Sequence, residues 1–235
     1  MTIKYFIENW RNIKDNDIKF TESEWVYISK FEYLEEEFIE KYKNKVDWEC
    51  ISYYQNLSES FIEKYQNKVN WIWISRYQKL SESFIEKYKN KLDWGLISSC
   101  QKLSESFIKR YKNKIDWHYI FAYQKLSEPF IEKYEDKVDW GYVSAYQKLS
   151  ESFIEKYQDK VNWYWISQYQ KLSESFIEKY QNKLDWYCIS KYQKLTDILI
   201  IKNYKNINYC YLKKHNKNIK YTLYESIIGG SLLIL

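Results

Sequence analysis

Glu82 and Glu86 stand four residues apart, a spacing that puts two carboxylates on one face of a helix. In a suitable pocket such a pair does acid–base work or holds a divalent metal. The pair is not unique, however: it recurs as Glu59/Glu63, Glu128/Glu132, Glu151/Glu155 and Glu174/Glu178. Ser75 with Gln78 recurs in the same way, for example as Ser144 with Gln147, and no histidine or cysteine accompanies it as base or nucleophile. A catalytic constellation is distinctive and normally occurs once. Polar groups written many times read instead as solvated helix faces, with the glutamates complementing helix dipoles and the glutamines bonding to neighbouring repeats. Cys50, Cys100, Cys188 and Cys210 form no CxxC pair, and His118 and His215 are far apart in the chain. The cysteines therefore read as reduced, mostly buried packing residues of an intracellular protein. The sequence predicts no enzyme, no cofactor and no metal site.

The recurrence itself has a fixed period. Trp25, Trp48, Trp71, Trp94, Trp117, Trp140, Trp163 and Trp186 are each 23 residues apart, and Tyr209 falls on the next beat. With this tryptophan as position 1, the repeat reads WxxISxYQKLSESFIEKYxNKVD. Position 14 is phenylalanine from Phe38 to Phe176, and leucine holds position 10 from Leu34 to Leu195.

Each repeat predicts two short helices. Serine at position 11 is an N-cap and glutamate follows it in the first turn. Leucine at position 10 and isoleucine at position 15 sit where a hydrophobic staple joins them. Positions 14, 15 and 18, as in Phe107, Ile108 and Tyr111, form an apolar stripe at helical spacing. Asparagine or aspartate at position 20 suits a left-handed helix end. Pro129, at position 13, falls in a first turn, where proline is tolerated. The second helix starts from an aspartate or asparagine N-cap at position 23, such as Asn70 or Asp93. Tryptophan, isoleucine and tyrosine follow at positions 1, 4 and 7, which reads as its buried stripe. Trp94, Phe107, Ile108, Tyr111 and Trp117 are thus the expected core of the middle repeats.

Neither helix is long enough to stand alone, so stacking must stabilise both. The fold class expected is all-α: an α-solenoid of stacked two-helix 23-residue repeats with degenerate capping ends. Residues 1–24 form the N-terminal cap, 25–195 the repeats, and 196–235 a degenerate last repeat and cap. Composition agrees. Aromatics make up 20% of the chain, which argues against disorder, while 4 Gly and 1 Pro are too few for a turn-rich β-protein. The N-terminal stretch lacks the apolar run of a signal peptide, and SIIGGSLLIL (226–235) is about half a membrane span, so no membrane partner is expected.

The run LSESFIEKYxNKVDWxxISxYQ resembles the short repeat of uncharacterised tandem-repeat proteins from large, mimivirus-like DNA viruses that infect amoebae. The resemblance covers residues 25–195, and the excess of Lys, Asn, Ile and Tyr suits an AT-rich viral genome. It implies a viral origin, a multi-copy family, and a place in the host cytoplasm, the viral factory or the virion. It carries over no functional residue.

Two surfaces could bind a partner. Lysines at position 21 (Lys45 to Lys183) and position 9 (Lys79 to Lys194) would align into stripes able to track phosphates. Parallel glutamate stripes and only three arginines weigh against nucleic acid, and the net charge of +5 merely permits it. The second surface is where the repeats differ. Positions 2 and 6 share a face of the second helix and read Val26/Lys30, Glu49/Tyr53, Ile72/Arg76, Gly95/Ser99, His118/Ala122, Gly141/Ala145, Tyr164/Gln168 and Tyr187/Lys191. An unconstrained solvent face accounts for such variation. So does a recognition face for a protein partner, shallow at Gly95, Ser99, Ala122, Gly141 and Ala145 and flanked by anchors at Tyr53, Arg76, Tyr164 and Tyr187. The second reading makes the chain a non-enzymatic scaffold or adaptor; the alternative is a nucleic-acid-binding solenoid using its lysine stripes.

Overall fold

A computed structural model describes residues 2–14, 17–208 and 210–211. Tyr209, His215 and the segment 226–235 lie outside the described residues. Among those described there are seventeen α-helices and no strand. α1 is Ile3–Asn9 and α2 is Glu22–Phe31. Thereafter a six-residue helix alternates with a seven-residue one. The six-residue helices are α3 (Glu36–Lys41), α5 (Glu59–Lys64), α7 (Glu82–Lys87), α9 (Glu105–Arg110), α11 (Glu128–Lys133), α13 (Glu151–Lys156), α15 (Glu174–Lys179) and α17 (Asp197–Lys202). The seven-residue helices are α4 (Trp48–Tyr54), α6 (Trp71–Tyr77), α8 (Trp94–Cys100), α10 (Trp117–Tyr123), α12 (Trp140–Tyr146), α14 (Trp163–Tyr169) and α16 (Trp186–Tyr192). The chain divides into two compact units, residues 1–120 and 121–235. In the first, α2, α4, α6 and α8 stack in sequence order; in the second, α12, α14 and α16 do so. Each unit is a stretch of helical-repeat solenoid.

Capping chemistry sets the helix starts. Ser81 Oγ accepts from Phe84 N at 3.2 Å, and Asp93 Oδ1 accepts from Leu96 N at 2.9 Å. Pro129 occupies the first turn of α11 behind the Ser127 cap. The ends differ from expectation. The six-residue helices α3 to α15 stop at the tyrosine of position 18, two residues before the asparagine or aspartate: Tyr88 has φ −105° and ψ 21°, and its carbonyl accepts from both Lys91 N and Leu92 N. A hydrogen-bonded turn centred on that tyrosine therefore ends the helix ahead of position 20.

Phe107 and Ile108 are buried, with their equivalents along each unit, and each such side chain contributes roughly 1.5–3 kcal/mol. Trp94, Tyr111 and Trp117 are only half-buried, contrary to the expected core. The tryptophan closes the outside of its own repeat. Trp94 lies over Phe107 and Tyr111 at 6.4 and 5.1 Å between ring centres and donates from Nε1 to Lys89 O at 2.9 Å. Lys114 Nζ sits 5.7 Å above the ring. Trp25 is the buried exception, because Phe6 and Phe20 of the N-terminal segment pack edge-on against it. Arg11 fastens that segment to Glu35 and, at 3.2 Å, to Glu37.

The repeats are joined by a buried polar ladder. Gln78 Nε2 donates to Ser52 O at 3.1 Å and Gln55 O at 2.7 Å, while its Oε1 accepts from Leu57 N at 2.9 Å. Gln170 does the same toward Ser144, Gln147 and Leu149. Ser75 Oγ donates back to Trp71 O and accepts from Asp93 N at 3.0 Å, tying one repeat to the cap of the next helix. The cysteines depart from expectation: all are free, but only Cys188 is buried, Cys50 is half-buried, and Cys100 and Cys210 are exposed. Cysteine here replaces residues at positions 2, 3 and 7, which border the outer face rather than the core.

Candidate functional site

The glutamates and lysines expected as stripes are largely engaged between repeats. At position 12, Glu59 accepts from Ser81 N and, at 3.0 Å, from Ser81 Oγ; Glu151 holds Ser173 alike. At position 16, Glu86 pairs with Arg110 at 3.0 Å, Glu132 with Lys156 at 2.8 Å and Glu155 with Lys179 at 2.9 Å. The hydrogen bond from Lys64 holds the Glu40 carboxyl below its ordinary value. Tyr111 donation, helped by the Arg110 charge, does the same to Glu86. Lysines of position 21 reach back across the repeat boundary, as in Lys91 to Gln66 Oε1 at 2.9 Å and Lys68 to Lys43 O at 3.0 Å. The lysines of position 9 are different. Lys79 and Lys102 in the first unit, and Lys125, Lys148, Lys171 and Lys194 in the second, are exposed and make no ion pair among the described residues.

The outer face of the seven-residue helices carries an aromatic row that helical periodicity alone assigns to the core. Tyrosines of position 7 are exposed: Tyr54 and Tyr77 in the first unit, Tyr146, Tyr169 and Tyr192 in the second. At about 100° per residue, position 7 lies about 60° beyond position 4 and about 120° from position 1, and glutamine at position 8 takes the centre of the buried side. The aromatics of position 3 stand beside them. Trp73 and Tyr77 are 5.9 Å apart, Tyr142 and Tyr146 5.8 Å, and Trp165 and Tyr169 5.7 Å.

Positions 2 and 6 lie among these rings. In the first unit, Tyr53 packs on Trp73 and Tyr77 of the next helix, and Arg76 is exposed beside Tyr77. Gly95 and Ser99 are half-buried, with Ser99 Oγ turned back to Gly95 O at 3.0 Å, and His118 is exposed. In the second unit, Ala122 is only 7% exposed. This corrects its assignment to the accessible patch: position 6 borders the buried stripe, and a methyl group there does not protrude past its neighbours. Gly141 and Ala145 are half-buried and floor a pocket of about 290 Å³. Tyr142, Tyr146, Trp165 and Tyr169 wall it, and Asp139 closes one end. An adjoining groove runs from Ala145, Tyr146 and Tyr169 to Lys148 and Lys171. Tyr164 and Tyr187 are exposed; Gln168 and Lys191 are half-buried, with Lys191 Nζ 5.7 Å from the Tyr187 ring centre and 4.9 Å from that of Tyr192. The face is thus two sets of residues, one in each compact unit. The four aromatic walls were missed, although the frequent Trp or Tyr at position 3 signals them.

Burial pushes the thiols of Cys50 and Cys188 up to about 11, assisted by the capping carboxylates of Asp47 and Asp185. Neither is primed as a nucleophile. Among the described residues there is no cluster of His, Cys, Asp and Glu able to hold a metal, and no helix long and apolar enough to cross a membrane. No protein-family model, curated protein or solved structure matches the chain.

Proposed function

We propose that the chain is a non-enzymatic scaffold or adaptor that binds a protein partner along the outer face of its tryptophan-initiated helices. The observation that carries this reading is the row of exposed tyrosines at position 7, reinforced by aromatics at position 3. These residues are absent from the core and are the types that anchor protein interfaces. The recurring carboxylates, the other chemically capable groups, join one repeat to the next. By its resemblance to repeats of amoeba-infecting giant viruses, we place the protein in the infected cell, at the host cytoplasm or viral factory or in the virion.

Affinity capture from infected amoebae tests this. Ser99→Arg with Ala145→Arg puts bulk and charge on the face in both compact units and should abolish capture while leaving helicity intact. Capture of the same partner at full strength by this folded variant would overturn the reading. Nucleic-acid binding is the second reading, favoured by the lysines of position 9, which make no ion pair among the described residues and stand beside exposed tyrosines, an arrangement suited to stacked bases and phosphates. Tight binding to generic RNA or DNA that weakens steeply with salt would install it instead.

A further inference from the structure

The helix pair α4–α6 and the helix pair α12–α14 present the same aromatic wall in two states. In the first, Trp73 and Tyr77 are covered by a ring from the preceding helix: Tyr53 lies 4.9 Å from Trp73 and 4.2 Å from Tyr77, and Tyr77 Oη donates to Tyr53 Oη at 3.0 Å. Glu49, one turn before Tyr53, accepts from Trp73 Nε1 at 3.3 Å. In the second pair the wall is Trp165 and Tyr169, in nearly the same mutual geometry, but Gly141 and Ala145 stand where Glu49 and Tyr53 would. The result is the open pocket of about 290 Å³. Glycine is a poor helix former. Gly141 has no left-handed backbone to explain it, and the nearest atom to an added Cβ is its own cap, Asp139 Oδ1, at 3.1 Å.

We propose that this pocket receives a tyrosine side chain from an acidic segment of the protein partner. The proposal rests on the adaptor reading and names the chemistry that one part of the face accepts. The ring's place is shown by Tyr53, which fills the equivalent space within the chain itself. Its hydroxyl has a partner in Tyr169, as Tyr53 has in Tyr77. The acidic character follows from charge. Lys148 and Lys171 border the adjoining groove without ion pairs among the described residues and outnumber Asp139, the carboxylate in the pocket lining, while Gly141 stands where Glu49 gives the Trp73 indole N–H its acceptor. A carboxylate next to the incoming tyrosine pairs with these lysines.

The test uses the whole chain with 15N-labelled tryptophan, the Trp165 indole signal being assigned through Trp165→Phe. Titration with N-acetyl-L-tyrosinamide should move the Trp165 signal saturably and leave that of Trp73 in place. Acetyl-Glu-Tyr-amide should bind more tightly, with the advantage lost at high salt. Ala145→Tyr, which installs the internal plug, should keep the other indole signals and abolish the shift. Tyr169→Ala, which removes one wall, should weaken binding about fivefold, the worth of one aromatic pair. A Trp165 signal that ignores both probes, or that still shifts in Ala145→Tyr, overturns the proposal. So does a stronger response to uridine or adenosine monophosphate, which would mark a nucleobase pocket. Equal affinity for the two tyrosine probes overturns the acidic assignment. The two failures are distinguishable: probe binding without loss of partner capture in the arginine variant would sink the adaptor reading and leave only the pocket's preference for an acidic tyrosine segment.

Discussion

Gln170→Leu removes a side chain of almost unchanged volume from the polar ladder of the second compact unit. Three hydrogen bonds disappear: Nε2 to Ser144 O at 2.9 Å, Nε2 to Gln147 O at 2.7 Å, and Leu149 N to Oε1 at 3.1 Å. Gln170 and Gln147 are buried, so water does not readily replace these partners. Each neutral bond contributes about 0.5–1.5 kcal/mol net, and a buried group left unpaired costs about 1–3 kcal/mol. The backbone N–H and two carbonyls together put the expected loss at about 3–5 kcal/mol, a large part of a typical total stability. Urea denaturation followed by tryptophan fluorescence measures it. Gln170→Glu supplies an internal check. At neutral pH it retains the acceptor for Leu149 N but aims a carboxylate at two carbonyls, so its folded form binds a proton more tightly than its unfolded form. Its stability relative to the parent should therefore be better below about pH 4 and decline as pH rises past the ordinary glutamate value. A loss below about 1 kcal/mol in Gln170→Leu, with no pH dependence in Gln170→Glu, would mean that the ladder accompanies the stacking without sustaining it.

Phe107→Ala should cost about 3–5 kcal/mol in the same assay, since the ring is buried under Trp94; a cost below about 1 kcal/mol would contradict that packing. Alkylation with iodoacetamide at pH 8, mapped by mass spectrometry, should label Cys100 well before Cys50 and Cys188, whose thiols are pushed up to about 11; equal labelling would refute the burial that raises them. Glu40, Glu86 and Glu135 titrate below their ordinary value because of Lys64, of Tyr111 with Arg110, and of Lys160. The folded forms of these groups bind protons less tightly than the unfolded chain, so their contribution is present above about pH 4.5 and is lost as pH falls through the lowered values. The urea midpoint should accordingly be flat from pH 7 to 5 and drop by pH 3, and an unchanged midpoint at pH 3 would count against these inter-repeat pairs.

The parts of this fold that depend on one repeat were legible in its letters. Serine and aspartate caps, the buried phenylalanine and isoleucine, and the proline in a first turn all follow from local backbone chemistry, and local chemistry is identical in every copy. The glutamine of position 8 could also be given its inter-repeat role, because a polar amide beside an apolar stripe must find partners in whatever stacks upon it. What was misplaced lies at the border of the buried stripe. Tyr77 and Trp94 are both large, apolar and regularly spaced, so periodicity counts them as core. Yet a seven-residue helix makes fewer than two turns, and its stripe is too short to fix a phase to better than one residue. Which edge faces water is then decided by the next repeat, through the glutamine that occupies the centre. The candidate site shows the same limit more sharply. Variation at positions 2 and 6 revealed that packing did not dictate Gly141 and Ala145. It could not reveal that Tyr53 covers the wall which Ala145 leaves bare, since that relation joins position 6 of one repeat to positions 3 and 7 of the following one. A regular array makes such differences informative: α4–α6, which carries the tyrosine plug, serves as the control for α12–α14, which lacks it.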